Sequence, residues 1–210
     1  MATTSAVQAL AACDPRLAAA IDIIGPCTLA RGRGSPYEAL LSAIAHQQLH
    51  GNAAAAILRR LKTLYPGERY PTPDELLATS EQALRGVGLS RAKLAAMQDV
   101  ARHTLDGAVP DRRAIQRLSN EAIIERITEI RGVGRWTAQM LLMFTLNRPD
   151  VLPVDDFGIR EGFRLLYGKR LQPKPRWLAS YGERWAPHRT TASWYLWRYA
   201  DYERERRRAG

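Results

Sequence analysis

The stretch SNEAIIERITEIRGVGRWTAQMLLMFTLN, residues 119–147, decides the fold. Ser119 or Asn120 caps a helix that runs to about Glu129. Ile130-Arg-Gly-Val-Gly follows, and a second helix begins at Arg135. The two glycines permit a tight hairpin with φ > 0 and bring bare backbone close to a surface. The second helix then presents free N–H groups and its positive dipole end out of the turn, a place for an anion such as a DNA phosphate. A Gly-X-Gly turn between helices is often a mere connector, and Leu84-Arg-Gly-Val-Gly-Leu-Ser is a second one in this chain. The later turn gains weight from what comes some twenty residues on. Leu152-Pro-Val-Asp-Asp-Phe-Gly-Ile-Arg places two acids at the opening of a helix, beside basic residues.

Outward from this segment the apolar spacing stays helical. Residues 37, 40, 41 and 44 share a face, as do Ile57, Leu58, Leu61 and Leu64, with Arg59, Arg60 and Lys62 off the stripe. Thr72-Pro73-Asp74-Glu75 is a helix start: a cap, a proline in the first turn, then acids against the positive dipole end. Ser90 caps a helix to about His103, and Pro175–Arg184 and Thr190–Asp201 predict two more. No alternating β-branched run is long enough for a sheet. The expectation is an all-α chain of about nine or ten helices, without tandem repeats.

Composition bounds the function. The 210 residues are 46% hydrophobic and 25% charged, enough for a sizeable core and too balanced for wholesale disorder. No apolar run is long enough to span a bilayer, and the N-terminus lacks the basic flank of a secretory signal. Two cysteines, Cys13 and Cys27, cannot make a disulfide framework or a four-thiolate metal site, so a reduced, cytoplasmic setting is expected. Lys and Arg number 31 against 21 Asp and Glu, a net charge of +10. Residues 157–210 hold thirteen basic and five acidic side chains. Only 62, 93, 169 and 174 are lysines; the remaining basic residues are arginines, which hold phosphate through two parallel hydrogen bonds. Nucleic acid is the leading partner. The plainer alternative is a solvated basic tail, RERRRAG.

Four motifs in order carry a resemblance: Ile44-Ala-His-Gln-Gln-Leu-His-Gly, Ile130-Arg-Gly-Val-Gly-Arg-Trp-Thr-Ala, Leu152-Pro-Val-Asp-Asp-Phe-Gly-Ile-Arg and Glu183-Arg-Trp-Ala-Pro-His-Arg-Thr-Thr-Ala-Ser-Trp-Tyr-Leu-Trp. They span residues 44–197. The chain resembles the helix-hairpin-helix DNA glycosylase superfamily, and within it the 3-methyladenine DNA glycosylase II family. The resemblance implies a two-lobed helical fold with the active site in the inter-lobe cleft. Residues 1–35 would pair with 149–210 in one lobe, and 36–148, with the helix-hairpin-helix at 119–147, would form the other. The N-terminal β-domain of some bacterial members is not expected here. Members that also cut the backbone carry a lysine just after the hairpin, where this chain has Trp136, and no lysine occurs between 94 and 168. Iron–sulfur members need four cysteines near the C-terminus, and none lies beyond residue 27. The implied activity is monofunctional excision of alkylated purines from damaged double-stranded DNA by a monomer, with no membrane association and no required cofactor.

Asp156 is the expected catalytic residue. A carboxylate stabilises the positive charge that builds on the sugar and can orient water. Asp155 is its competitor, but the family's aspartate lies three residues before an aliphatic, which fits Asp156 with Ile159; Asp155 is expected to be the helix cap. Trp136, Trp197 and Met140 are expected to line the base pocket, where electron-rich rings attract a cationic alkylpurine; ordinary core positions are the alternative. Gln47, Gln48, Leu49 and His50 are expected to meet the minor groove, Gln48 or Leu49 filling the gap left by a flipped nucleotide; a polar helix terminus is the alternative. Gly132, Val133, Gly134, Arg135 and Thr137 are expected to bind the DNA strand. A structural monovalent or divalent cation is expected at the backbone carbonyls of Thr128, Ile130 and Val133, as in similar hairpins. The rival functions are a non-catalytic helix-hairpin-helix protein that binds distorted DNA and a glycosylase for oxidised or deaminated bases.

Overall fold

The computed structural model describes residues 4–30, 32, 34–49 and 51–209. Thirteen α-helices occur among them, and no strand. In chain order these are α1 (Thr4–Cys13), α2 (Pro15–Ile24), α3 (Pro36–His46), α4 (Gly51–Thr63), α5 (Pro73–Ala78), α6 (Glu81–Gly86) and α7 (Arg91–Leu105). They continue with α8 (Arg112–Ile115), α9 (Asn120–Thr128), α10 (Arg135–Met140), α11 (Phe157–Leu166), α12 (Pro175–Gly182) and α13 (Arg189–Ala209). The count exceeds the sequence expectation because several are helices of four to six residues, too short to show a periodic stripe.

Local chemistry explains most of the starts. Thr72 and Glu75 form a capping box at α5, Ser90 accepts from the Lys93 N–H at α7, and Ser119, rather than Asn120, accepts from the Ala122 N–H at α9. Helix α13 runs well past the expected Asp201. Arg204 pairs with Asp201 and Arg206 with Glu203 one turn back, and Arg and Glu are strong helix formers. The basic tail is therefore helix, with part of its charge paired.

The chain divides into two compact units, Met1–Arg31 with Asn147–Gly210, and Gly32–Leu146. In the first, α11 packs along α13 with the backbones nearly touching. A Cβ on Gly162 would lie 2.0 Å from the Leu196 carbonyl oxygen. The N-terminal helices join this unit through Asp14, only 2% exposed. Its Oδ1 accepts from the Arg16 and Leu17 N–H groups and caps α2. Its Oδ2 accepts from Tyr167 Oη–H (2.6 Å), Trp185 Nε1–H (2.9 Å) and Tyr181 Oη–H (3.3 Å). Five donors offset the cost of burying the carboxylate. Burial, then Asp14, pushes the Tyr167 phenol far above its ordinary value.

In the second unit, α3 and α5 pack on α7, and α9 and α10 form the hairpin. Ile123, Ile124 and Ile127 of α9 are buried, each contributing about 1.5–3 kcal/mol. Beyond Met140 the helix widens into a π-helical turn, Leu141–Thr145, in which the Leu146 N–H donates to the Leu141 carbonyl five residues back.

Candidate active site

In the first unit the loop before α11 is tied to the start of α13. Arg189 grips Asp150 through Nε and Nη2 at 2.7 and 2.8 Å. The Thr190 hydroxyl accepts from the Val151 N–H and donates to the Arg148 carbonyl, and the Ser193 Oγ–H is shared between the Arg189 carbonyl at 2.8 Å and the Val151 carbonyl at 3.2 Å. Burial opposes the Asp150 charge, but the Arg189 hydrogen bonds and charge outweigh it and hold this carboxyl below its ordinary value. These ties belong to the motif around Arg189-Thr-Thr-Ala-Ser, whose role was not legible from residue types.

That loop delivers Asp156 to the N-cap of α11. Its Oδ1 accepts from the Ile159 N–H at 2.8 Å and from the Trp197 indole Nε1–H at 2.8 Å. The expectation that Asp155 caps this helix is corrected: Asp155 is exposed and Asp156 is the cap. A capping residue sits just before the first helical residue and its carboxylate takes the N–H two or three residues on; with the helix opening at Phe157 the cap is Asp156, and the N–H it takes is Ile159's. Two N–H donors at the positive end of a helix suit a carboxylate anion.

Trp197, expected as a pocket wall, is half-buried, with its N–H edge on Asp156. Gly158, which the sequence did not single out, makes this possible. A Cβ there would sit 2.8 Å from Trp197 Cδ1, 3.1 Å from Nε1 and 3.2 Å from Asp156 Oδ1. Glycines one turn apart, at 158 and 162, were the available signal.

The second unit carries the other expected residues. Its hairpin turn closes with the Val133 N–H on the Ile130 carbonyl at 3.0 Å, and Gly132 takes φ +76°, where a Cβ is strained. Gly134 opens α10 without a side-chain cap, and nothing lies within 4 Å of a Cβ placed there. Gln47 Nε2–H donates to the Gly132 carbonyl at 2.9 Å, so the end of α3 is tied to the hairpin 85 residues on. Gln48 adopts φ +56°, unusual for a residue with a side chain, and both Gln48 and Leu49 are exposed. His50 lies outside the described residues.

Two side chains differ from expectation. Thr137 is 3% exposed and Val133 is also buried, so their side chains belong to the core and only their backbone is left for the expected DNA contact. Both follow the inward face of the turn and of α10. Arg135 is exposed but chelates Glu121 at 2.7 and 3.0 Å, and its hydrogen bonds hold the Glu121 carboxyl below its ordinary value.

Trp136, Met140 and Phe144 are spaced four apart after the hairpin, on successive turns. Trp136 is 42% and Phe144 39% exposed, and Met140 is half-buried. Phe144 was missed. It lies in the π-helical turn, a feature with no local sequence signature and a frequent mark of functional sites. Among the described residues no three His, Cys, Asp or Glu side chains gather to hold a metal ion, and no helix is long and apolar enough to cross a membrane.

A model of the HhH-GPD superfamily of base excision DNA repair proteins matches residues 41–188. The chain belongs to that family. It is 44% identical over 170 residues to DNA-3-methyladenine glycosylase 1 of Schizosaccharomyces pombe, covering 80% of this chain and 75% of the relative. The S. pombe 3-methyladenine DNA glycosylase structure in complex with abasic DNA superposes with a TM-score of 0.85 at 39% identity, over 92% of this chain and 95% of that one. The DNA-3-methyladenine glycosidase of Bacillus halodurans gives a TM-score of 0.84 at 36% identity, over 95% and 91%. The all-helical fold is thus that of the base-excision family.

Proposed function

We propose that this protein is a monofunctional DNA glycosylase that hydrolyses the N-glycosidic bond of alkylated purines, the 3-methyladenine and 7-methylguanine class, and so opens base-excision repair. One observation carries the reading: the Asp156 carboxylate at the mouth of α11, oriented by the Trp197 indole and the Ile159 N–H. The names of the 3-methyladenine relatives supply the substrate class.

The work divides by chemistry. The hairpin N–H groups around Gly132 and Gly134 receive a backbone phosphate, and Gln48 or Leu49 enters the duplex where the damaged nucleotide leaves it. The flipped base stacks on Trp136, with Met140 and Phe144 continuing the apolar strip. Asp156 stabilises the oxocarbenium-like sugar as the bond breaks and directs water to it. A cationic base leaves readily, so no strong general acid is required. The carbonyls of Thr128 and Ile130 lie at and just past the electronegative C-terminal end of α9, and the Ile130 oxygen keeps a lone pair after accepting from Val133. With the Val133 carbonyl they suit a structural cation that would bridge to phosphate; no step of the reaction passes through it.

Release of free base from methylated DNA is the test. Wild-type protein should release 3-methyladenine, leave an intact abasic strand and give no borohydride-trapped adduct, while Asp156→Asn should lose release yet still bind DNA. Trp136→Ala should cost at least about tenfold on 3-methyladenine, within the stacking range of one ring. Binding without release by wild type would establish the non-catalytic reading, and preference for a neutral oxidised or deaminated base would establish the other rival.

A further inference from the structure

Helix α7 packs against the last turn of α3, just before the 47–49 turn, and against the hairpin turn. Three of its residues, one turn apart, reach them. Lys93 Nζ donates to the Ala45 carbonyl at 2.7 Å, two residues before Gln47. A Cβ on Gly132 would lie 3.2 Å from the Ala96 Cβ, so the hairpin rests on Ala96. Asp99 Oδ2 accepts from the Arg131 backbone N–H at 2.8 Å. The Gln47 amide on the Gly132 carbonyl completes the circuit between the two turns.

The Asp99 contact is not needed to satisfy a buried donor. Arg131 is exposed, and water could serve its N–H at little cost. A carboxylate beside a phosphate-binding turn is, by charge alone, unfavourable. Arg102 at 2.8 Å on Oδ1 and His103 at 3.6 Å on Oδ2 surround it. What the contact does is restrict the turn, by a charge-assisted hydrogen bond from an ordered helix whose Asp99 side chain is only 19% exposed.

We propose that Asp99 is a positioning residue for DNA binding: it holds the 131–134 turn in register with the 47–49 turn, so that both meet one duplex as a preformed unit. The inference rests on the glycosylase reading. Pre-organisation raises affinity by removing the ordering cost at the moment of binding.

The test compares Asp99→Leu, Asp99→Asn and wild type for Kd on a duplex with an abasic-site analogue, single-turnover base release at saturating DNA, and amide exchange at Arg131. Asp99→Leu should raise Kd about tenfold and speed exchange at Arg131, with the saturating rate within about twofold of wild type. Asp99→Asn keeps an acceptor and should rescue most of the affinity. Combined with Gln47→Leu, Asp99→Leu should add less than the product of the two single effects, since either one frees the turn. An unchanged or tighter Kd for Asp99→Leu overturns the proposal, as does a lower saturating rate at constant Kd. If Asp99→Leu does not fold, an unprotected Arg131 amide in the wild-type protein overturns it. Failure of wild type to release any base sinks the glycosylase reading instead, and the exchange result still stands.

Discussion

The same tetrapeptide, Arg-Gly-Val-Gly, occurs at 85–88 and at 131–134 and takes two different conformations. At 85–88 the positive φ falls on the second glycine, Gly88, and the turn is filled from within. Arg60 Nε–H donates to the Val87 carbonyl at 2.9 Å, and Ser90 caps the helix that follows. At 131–134 the positive φ falls on the first glycine, Gly132, and the helix that follows has no side-chain cap. The first turn is a completed connector. The second leads into a helix without a side-chain cap, and Gln47 and Asp99 hold its backbone in place. Four identical residues do not by themselves set what a turn does; the groups around them do.

The largest expected effect that separates the two turns is on binding. Gly134→Asp puts a carboxylate where a phosphate would approach, in open space. DNA Kd should rise about a hundredfold, while stability holds or gains about 0.3 kcal/mol, because aspartate is only slightly better than glycine as an N-cap. Equal losses of stability and affinity would erase the distinction.

Alanine at each positive-φ glycine should cost about 1–3 kcal/mol of stability. Gly88→Ala must also displace Arg60 Nη2, 2.9 Å from the new Cβ, yet should leave Kd alone in the folded protein. Gly132→Ala should change both melting temperature and Kd. Thermal unfolding beside a binding titration reads the contrast, and a Kd change in Gly88→Ala would break it.

Ser90→Ala should lower stability by about 1 kcal/mol through loss of the α7 cap, with unchanged affinity measured at a temperature where the variant is folded. The smallest effect concerns Glu121. Its carboxyl is held low by Arg135, so the pair's contribution is present above the ordinary value of 4.5 and is lost as pH falls through the lowered one. Both side chains are more than half exposed, so stability should change by no more than about 0.5 kcal/mol. Glu121→Gln frees Arg135 for phosphate and should steepen the log Kd–log salt slope by up to about 0.9. A flat response would mean that Arg135 stays away from the duplex.

The caps at Thr72, Ser90 and Ser119 were legible because a cap is a matter of three or four consecutive residues. The helical class was legible for the same reason, as was a catalytic candidate at 155–156. The choice of cap between those two acids was misread, since it depends on where the chain leaves the loop tied to Arg189 and Thr190. The burial of Thr137 and Val133 depends on which face of the hairpin meets the core, and the exposure of Phe144 on a π-helical turn. The length of α13 was underestimated because its charges read as a solvated tail, although several pair along the helix.

By itself, the sequence determined the helical class, the longer helices, the caps at Thr72, Ser90 and Ser119, the basic excess and the family motifs, since each rests on neighbours within a turn or two or on composition. The tertiary structure alone decided which Arg-Gly-Val-Gly leads into a helix without a side-chain cap, which acid meets the Trp197 indole and what holds the hairpin. Those outcomes rest on partners 27 to 85 residues apart: Arg60 with Val87, Asp99 with Arg131, Asp156 with Trp197 and Gln47 with Gly132. Hydrogen bonds at such separations form only where packing has already brought the elements together, and no local pattern records them.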